Sequence, residues 1–383
     1  MGPLTATATE EQRALRDRFL PCFGALTDGH VERDGAAAFP RAAWDLLRAT
    51  GLFRLPFGRD CGGEEHDLLS TMFVLEALGY ACRDGGLKFA ATTQIVGVGA
   101  PLHMFGSEEL RRRFLPRICS GEAVGAHAIT EPSGGSDALR MQTTATRQRD
   151  CYVLDGGKTL VTNAPVADLF TVYARTHPDG GPLGISAFLV ERARAGVEVG
   201  PPLQTMGLRT APLGELRFEG CAVPVAHRIG REGGGYRVLE RVMAWEVLLS
   251  FVVNVGDMQH RLERCIDHAR ARRQFGQRIG SFQAIANKVV RMRIDTETSR
   301  KWLYDAAARL VAGEVATEDI AIAKLVTSES NVASALAAVQ IFGGAGYLAG
   351  HGIEKDLRDA VAGTIYSGTS EIQQNRIASL LRL

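Results

Sequence analysis

Little in this chain of 383 residues marks a special environment. Its seven cysteines (Cys22, Cys61, Cys82, Cys119, Cys151, Cys221, Cys265) are scattered and odd in number, with no C-x-x-C pair. That argues against a disulfide framework or a cysteine zinc site and points to a reducing compartment, the cytoplasm. The nine histidines show no metal-ligand spacing, so no metal is expected. A net charge of +1 provides no global field toward nucleic acid or membrane. No apolar run is long enough to span a bilayer. Met1 to Glu10 lacks the basic-then-apolar pattern of a signal peptide. What remains is ordinary soluble composition, 45% hydrophobic and 23% charged, in a chain long enough for two or three domains.

Against that background one residue stands out. From Val242 to Gly256 the only charge is Glu246, set in Met243-Ala-Trp-Glu-Val-Leu-Leu-Ser-Phe-Val-Val253. Val242, Trp245, Leu249 and Val252 repeat at helical spacing, as on a buried helix face. A carboxylate there loses hydration, so its pKa is expected to rise, which suits a base for carbon-acid chemistry. The alternative is a carboxylate paired with an Arg or lying on the polar side of its helix.

The texture of the sequence divides it into three. Residues 1–122 read as helical, with helical spacing in Arg41–Thr50, Leu68–Tyr80 and Glu108–Ser120. Residues 123–228 carry short β-branched and aromatic runs: Tyr152–Leu154, Thr159–Thr162, Leu169–Tyr173, Ile185–Val190 and Leu216–Phe218. Asp155-Gly156-Gly157 reads as a turn between the first two. Residues 229–383 return to long helices, one from about Tyr236 to Arg273 and the next carrying Phe282, Ile285, Val289 and Met292 on one face. The expected fold is mostly α with an inserted β domain, ending in a four-helix bundle. Gly344-Ala-Gly346-Tyr-Leu-Ala349 fits a dinucleotide-binding pattern, but a helical segment precedes it where a strand is required.

Five motifs carry chemistry. Gly125-Ala-His-Ala-Ile-Thr-Glu-Pro-Ser-Gly-Gly-Ser-Asp137 offers hydroxyls from Thr130 and Ser136, with glycines that admit a flat ligand or phosphate. Alone it could equally be an irregular turn. Lys158-Thr-Leu-Val-Thr-Asn163 follows. Arg272-Arg-Gln-Phe-Gly276 with Phe282-Gln283 brings an Arg and an amide. Gln340-Ile-Phe-Gly-Gly344 and Ile365-Tyr-Ser-Gly-Thr-Ser-Glu-Ile-Gln373 complete the set.

In this order the motifs resemble the acyl-CoA dehydrogenase flavoprotein family over nearly the whole chain. The resemblance implies an N-terminal helical domain, a middle β-barrel domain, a C-terminal four-helix bundle, assembly as a homo-oligomer (dimer or tetramer) and FAD. It implies that Ile129 and Thr130 contact the flavin ring, that Gly135 and Ser136 meet the pyrophosphate, and that Val161 and Thr162 lie near the reactive edge. Arg272, Phe275, Gln283, Gln340, Gly343 and Gly344 would reach the FAD of a neighbouring subunit, and Thr369 and Glu371 would close the site. Leu160 stands where many relatives have Trp.

The departures narrow the reading. Many relatives carry the catalytic Glu after the Tyr of the last motif, yet Tyr366 is followed here by Ser367. A minority place it on the long helix before the Arg-x-x-Phe-Gly motif, and that position is Glu246. Val247 replaces an Arg that commonly follows. Ala128-Ile-Thr-Glu-Pro, Thr162–Phe170, Met243-Ala-Trp-Glu246, Ala271–Gly276 and Ser367-Gly-Thr-Ser370 are similar to the prolyl-carrier-protein dehydrogenases of pyrrole-forming pathways. That similarity implies α,β-dehydrogenation of a thioester-bound group, L-prolyl on a peptidyl carrier protein, with Glu246 as the base. The alternatives are an enzyme for acyl-CoA or for another carrier-bound amino or hydroxy acid, and a catalytically impaired binding homologue.

Overall fold

The computed structural model describes residues 8–383, so the expectation for the Met1–Glu10 segment lies almost wholly outside the described residues. Helices lead: α1 (Glu10–Ala25), α2 (His30–Ala36), α3 (Arg41–Ala49), α4 (Leu68–Ala81), α5 (Gly85–Thr93), α6 (Ala100–Phe105) and α7 (Glu108–Cys119). The starts of α1, α4, α5 and α7 are set by side chains that satisfy free backbone N–H groups. Thr9 and Gln12 form a capping box, while Asp67, Asp84 and Ser107 accept from the N–H of Ser70, Leu87 and Leu110. Between α5 and α6 the chain widens into π-helical winding from Gln94 to Gly99. Helical periodicity picks out α3, α4 and α7. It does not resolve the stretch from α5 to α6, where nearly every position is buried and no polar face remains to set a phase.

The middle segment forms one sheet from β1 (Gly125–Ala128), β2 (Thr144–Gln148), β3 (Cys151–Thr162), β4 (Leu169–Arg175), β5 (Ile185–Glu191), β6 (Val197–Val199), β7 (Leu213–Pro224) and β8 (Arg228–Ile229). Pairing runs β6-β7-β3-β2-β4-β5-β8, and β1 adds to β4 in parallel. One residue pair, Thr144 with Arg175, joins β2 to β4, so the sheet has two halves. Tyr152 on β3 packs on Phe188 of β5 at 4.9 Å, which brings the halves face to face as the barrel-like expectation requires. β4 and β5 are buried on both faces over six consecutive residues, because helices cover their outer side. The expected turn at Asp155-Gly156-Gly157 is not a turn. β3 passes straight through it, with a register shift against β7 between Leu154 and Gly156, where Gly156 adopts φ 140°.

The last segment comprises α8 (Gly235–Ala271), a short hairpin of β9 (Arg273–Gln274) and β10 (Gln277–Arg278), α9 (Gln283–Val311), α10 (Thr317–Phe342), α11 (Gly344–Tyr347), α12 (Ile353–Ala362) and α13 (Ser370–Leu380). α8, α9 and α10 pack on one another, and α12 and α13 close against α10. The dinucleotide-like glycines follow helix α10 rather than a strand, as their context implies. No helix among the described residues is long and apolar enough to cross a membrane.

Two close approaches tie the first segment to the last. α4 crosses α8 with glycines at the contact. A Cβ on Gly79 would lie 2.0 Å from the Val253 carbonyl oxygen, and one on Gly256 would lie 2.1 Å from that of Glu76. Glu76 then accepts from Arg300 Nε and the Tyr304 hydroxyl of α9, each at 2.9 Å and buried. Further along α8, Lys88 pairs with Asp257, and Arg83 pairs with Asp356 of α12. These ions line a cavity of about 30 Å³. Gly256→Ala should push the α4–α8 crossing apart and cost about 1–3 kcal/mol, read as a lower urea midpoint for unfolding.

Candidate active site

Glu246 projects from the middle of α8's first half, where Val242, Leu249 and Val252 are buried as the spacing predicts. Its own carboxylate is not fully enclosed: the side chain is 16% exposed, and Trp245 is half-buried. The expectation of a sealed carboxylate is therefore corrected to one at the edge of the core. Ser367 donates its hydroxyl to Glu246 Oε1 at 2.6 Å. His127 Nδ1 lies 3.4 Å from Oε2, and His127 Nε2 lies 3.1 Å from the Tyr173 hydroxyl. Among the described residues no Lys or Arg comes within ion-pair distance of Glu246, which removes the Arg-paired alternative. Tyr366 fills the space beside it, between Phe89 at 4.6 Å and Phe251 at 5.1 Å. Val247, the residue in place of the usual Arg, is buried in the core.

The opposite wall comes from the first two motifs, which a buried ion pair fastens together. Lys158 Nζ donates to Glu131 Oε1 at 2.8 Å and to the Ile129 carbonyl at 3.2 Å. Glu131 also accepts from the backbone N–H of Gln142 and Thr143. Thr159 N–H donates to the Thr130 carbonyl at 2.9 Å, so Ile129 and Thr130 are held beside the Thr159–Thr162 edge of β3. Burial alone would raise the Glu131 carboxyl, but the Lys158 charge and the backbone donors outweigh it and hold the carboxyl below its ordinary value.

This wall has room for a flat, partly polar ligand. Leu160 stands at φ 54° and is 56% exposed, leaving an apolar side chain bare next to Thr130. Gly134, Gly135 and Ser136 form an exposed rim, and a Cβ on Gly134 would meet nothing. At the other margin Thr369 caps α13 by accepting from Ile372 N–H, Glu371 sits in its first turn, and the buried Ser370 hydroxyl has no hydrogen-bond partner. Bare apolar surface, a glycine-rich rim and an orphaned hydroxyl fit an isoalloxazine ring with its phosphates. Val161 is buried beneath this surface and Thr162 is half-buried at it.

The remaining expected residues lie elsewhere in the chain. Arg272, Phe275 and Gln283 follow the C-terminal end of α8, and α10 ends there with Gln340, Gly343 and Gly344, held by the stack of Phe342 on His268 at 4.1 Å. Along a continuous helix the 26 residues from Glu246 to Arg272 span about 39 Å. All six are exposed, Phe275 to 92%. The structure thus brings the first, second and fifth motifs together and keeps the third and fourth apart from them.

Sequence reasoning passed over His127 and Tyr173 and read Ser367 as a lost catalytic residue and part of a motif, not as a partner of Glu246. His127 was visible inside the first motif, two residues before Ile129. Tyr173 gave no signal, since an aromatic residue in a strand reads as core.

Known proteins align with this arrangement along the whole chain. Descriptions of the acyl-CoA dehydrogenase N-terminal, middle and C-terminal domains match residues 9–122, 126–221 and 233–381. An L-prolyl-[peptidyl-carrier protein] dehydrogenase of Pseudomonas fluorescens is 41% identical over 346 residues, 90% of this chain and 91% of its own. Among solved structures, the prolyl acyl carrier protein oxidase AnaB superposes with a TM-score of 0.96 at 38% identity, over 98% of this chain and 100% of that one. PigA with FAD and proline also gives 0.96, at 35% identity over 99% and 100%.

Lys158→Met strands the Glu131 carboxylate and should cost about 3–5 kcal/mol in urea unfolding of the cofactor-free protein. With its folded pKa held down, Glu131 adds stability above its unfolded pKa. That contribution should fade as the pH falls below the ordinary value of 4.5, and the wild-type advantage over Glu131→Gln should shrink in the same range.

Proposed function

Because the chain belongs to the acyl-CoA dehydrogenase family, we propose that it is an FAD-dependent dehydrogenase acting on an L-prolyl thioester of a peptidyl carrier protein. The observation that carries this reading is the Glu246 carboxylate. It is met by Ser367 and by His127 of the first motif, and among the described residues no Lys or Arg pairs with it. The relatives named for prolyl on a carrier protein, and PigA with FAD and proline, supply the substrate class and the cofactor.

The thioester carbonyl acidifies the α-carbon, and Glu246 takes the α-proton. FAD, when bound, supplies the acceptor for the hydride that leaves the β-carbon, so that the Cα–Cβ double bond forms with two electrons removed. Ile129, Thr130, Val161 and Thr162 would hold the ring, and Gly135 and Ser136 the pyrophosphate. Thr369 and Glu371 would close the site. Phe89, Tyr366 and Phe251 form an apolar stack beside the carboxylate, which limits water there. Two such oxidations with one tautomerisation carry a prolyl group to the pyrrole-2-carboxyl level.

The partners are the carrier protein and further copies of this chain. Arg272, Phe275, Gln283, Gln340, Gly343 and Gly344 sit too far from Glu246 to serve the same site, so they would serve the FAD of a second copy, in a homodimer or homotetramer. Exposed apolar side chains on the same segment, Val290, Ile294, Leu336 and Tyr347, favour such a contact. All seven cysteines are free, compatible with work in the reducing cytoplasm.

Glu246→Gln should retain FAD and lose turnover by about 10²–10⁴-fold. Anaerobic mixing of wild type with prolyl-loaded carrier should bleach the flavin band, while free proline and acyl-CoA should not. Bleaching by acyl-CoA instead would move the substrate to coenzyme A thioesters. Phe275→Asp should shift the particle to a smaller mass by light scattering and release FAD in step.

A further inference from the structure

His127 is placed by three independent features, none of which the proton abstraction itself calls for. On β1 it lies in register with Thr171 of β4, so Tyr173 is its diagonal neighbour on the same face, with ring centroids 5.4 Å apart. Behind it runs the π-helical Gln94–Gly99 segment. Gln94 donates to the Ile118 and Ala123 carbonyls and accepts from Gly125 N–H, which fastens the start of β1. Gly97 of that segment leaves room for the imidazole stem: a Cβ there would come within 3.1 Å of His127 Cβ. The side chain is 6% exposed, and its two nitrogens face one group each.

Those two groups fix the tautomer. Tyr173 is fully buried, and burial, with the nearby Glu246 charge, holds its phenol far above the ordinary value, so it keeps its proton. The only hydrogen-bond partner of that hydroxyl among the described residues is His127 Nε2. If the imidazole donated through Nε2, the buried phenol proton would have no acceptor, an unfavourable loss. Tyr173 therefore donates to Nε2, and the neutral ring carries its hydrogen on Nδ1, toward Glu246. We propose that His127, with its tautomer set by Tyr173, is a positioning residue that donates Nδ1–H to Glu246 Oε2 and, with Ser367 on Oε1, keeps the carboxylate aimed. This rests on Glu246 being the base.

The groups facing Glu246 are His127 from β1, Tyr173 from β4, and Tyr366 and Ser367 from the turn after α12. Tyr173 and Tyr366 are both raised by burial and stay neutral through the working range. His127→Leu removes the donor, whereas Asn places an N–H near Nδ1. At equal flavin content, His127→Leu should move the acid limb of kcat/KM up by about one pH unit and lower kcat about tenfold. His127→Asn should recover most of both, and Tyr173→Phe should fall between. In ¹⁵N-histidine-labelled protein without FAD, the signal missing from His127→Asn should show its proton on Nδ1. A proton on Nε2, an unmoved acid limb in His127→Leu, or equal loss in Leu and Asn overturns the inference. Should Glu246→Gln keep its turnover, base and positioning roles fall together. If Glu246→Gln is inactive while His127→Leu behaves as wild type, only the positioning role falls.

Discussion

The site depends first on the buried pair of Lys158 and Glu131. It joins a loop leaving β1 to the middle of β3, two stretches that the main pairing path of the sheet leaves apart. The ammonium also holds the Ile129 carbonyl, and the carboxylate gathers the N–H groups of Gln142 and Thr143, so neither ion keeps an unmet bond. A pair so fully bonded withstands its desolvation because each charge is met several times over. With it in place, Thr130, Leu160 and Thr162 present one surface. Without it, the glycine-rich Pro132–Asp137 loop has little to define it.

α8 then sets the distances. Its 37 residues carry Glu246 near one end and lead to Arg272 at the other, a length that no side chain bridges. One face of it is a polar stripe, Glu246, Ser250, Asn254, Asp257 and Arg261, at spacings of four, four, three and four. The stripe ends in the buried ions of Arg83, Lys88 and Asp356, which bind α8 to α4, α5 and α12. Close crossing at Gly79 and Gly256 brings α4 near enough for Glu76 to reach α9. The helix bearing the proposed base is thus clamped from several sides, which is the rigidity that a base acting on a carbon acid needs.

Much of this was legible in the sequence for identifiable reasons. β4 and β5 showed as β-branched and aromatic runs with little charge, because both of their faces are covered. α3 and α7 showed because they keep a polar side. Glu246 showed because it is the one charge between Val242 and Gly256. The Asp155-Gly156-Gly157 segment misled because a bulge and a turn both favour glycine, and only the partner strand distinguishes them. Ser367 misled in another way. Judged as a replacement for a base it is inert, yet its hydroxyl, carried at φ 55° by the turn after Tyr366, lands on the Glu246 carboxylate.

By itself the sequence determined the order of helical, β and helical segments, the motifs for FAD and the identity of the candidate base. These are properties of local pattern: periodicity, a charge without neighbours, glycines in a fixed order. Only tertiary structure decided what surrounds the base. His127 and Ser367 lie 119 and 121 positions from Glu246 in the chain, and meet it, with Tyr173 behind His127, only because a parallel strand pair and a turn deliver them to one point. Hydrogen bonds between such distant residues leave no trace in spacing, since each partner's position is set by the packing of its own element.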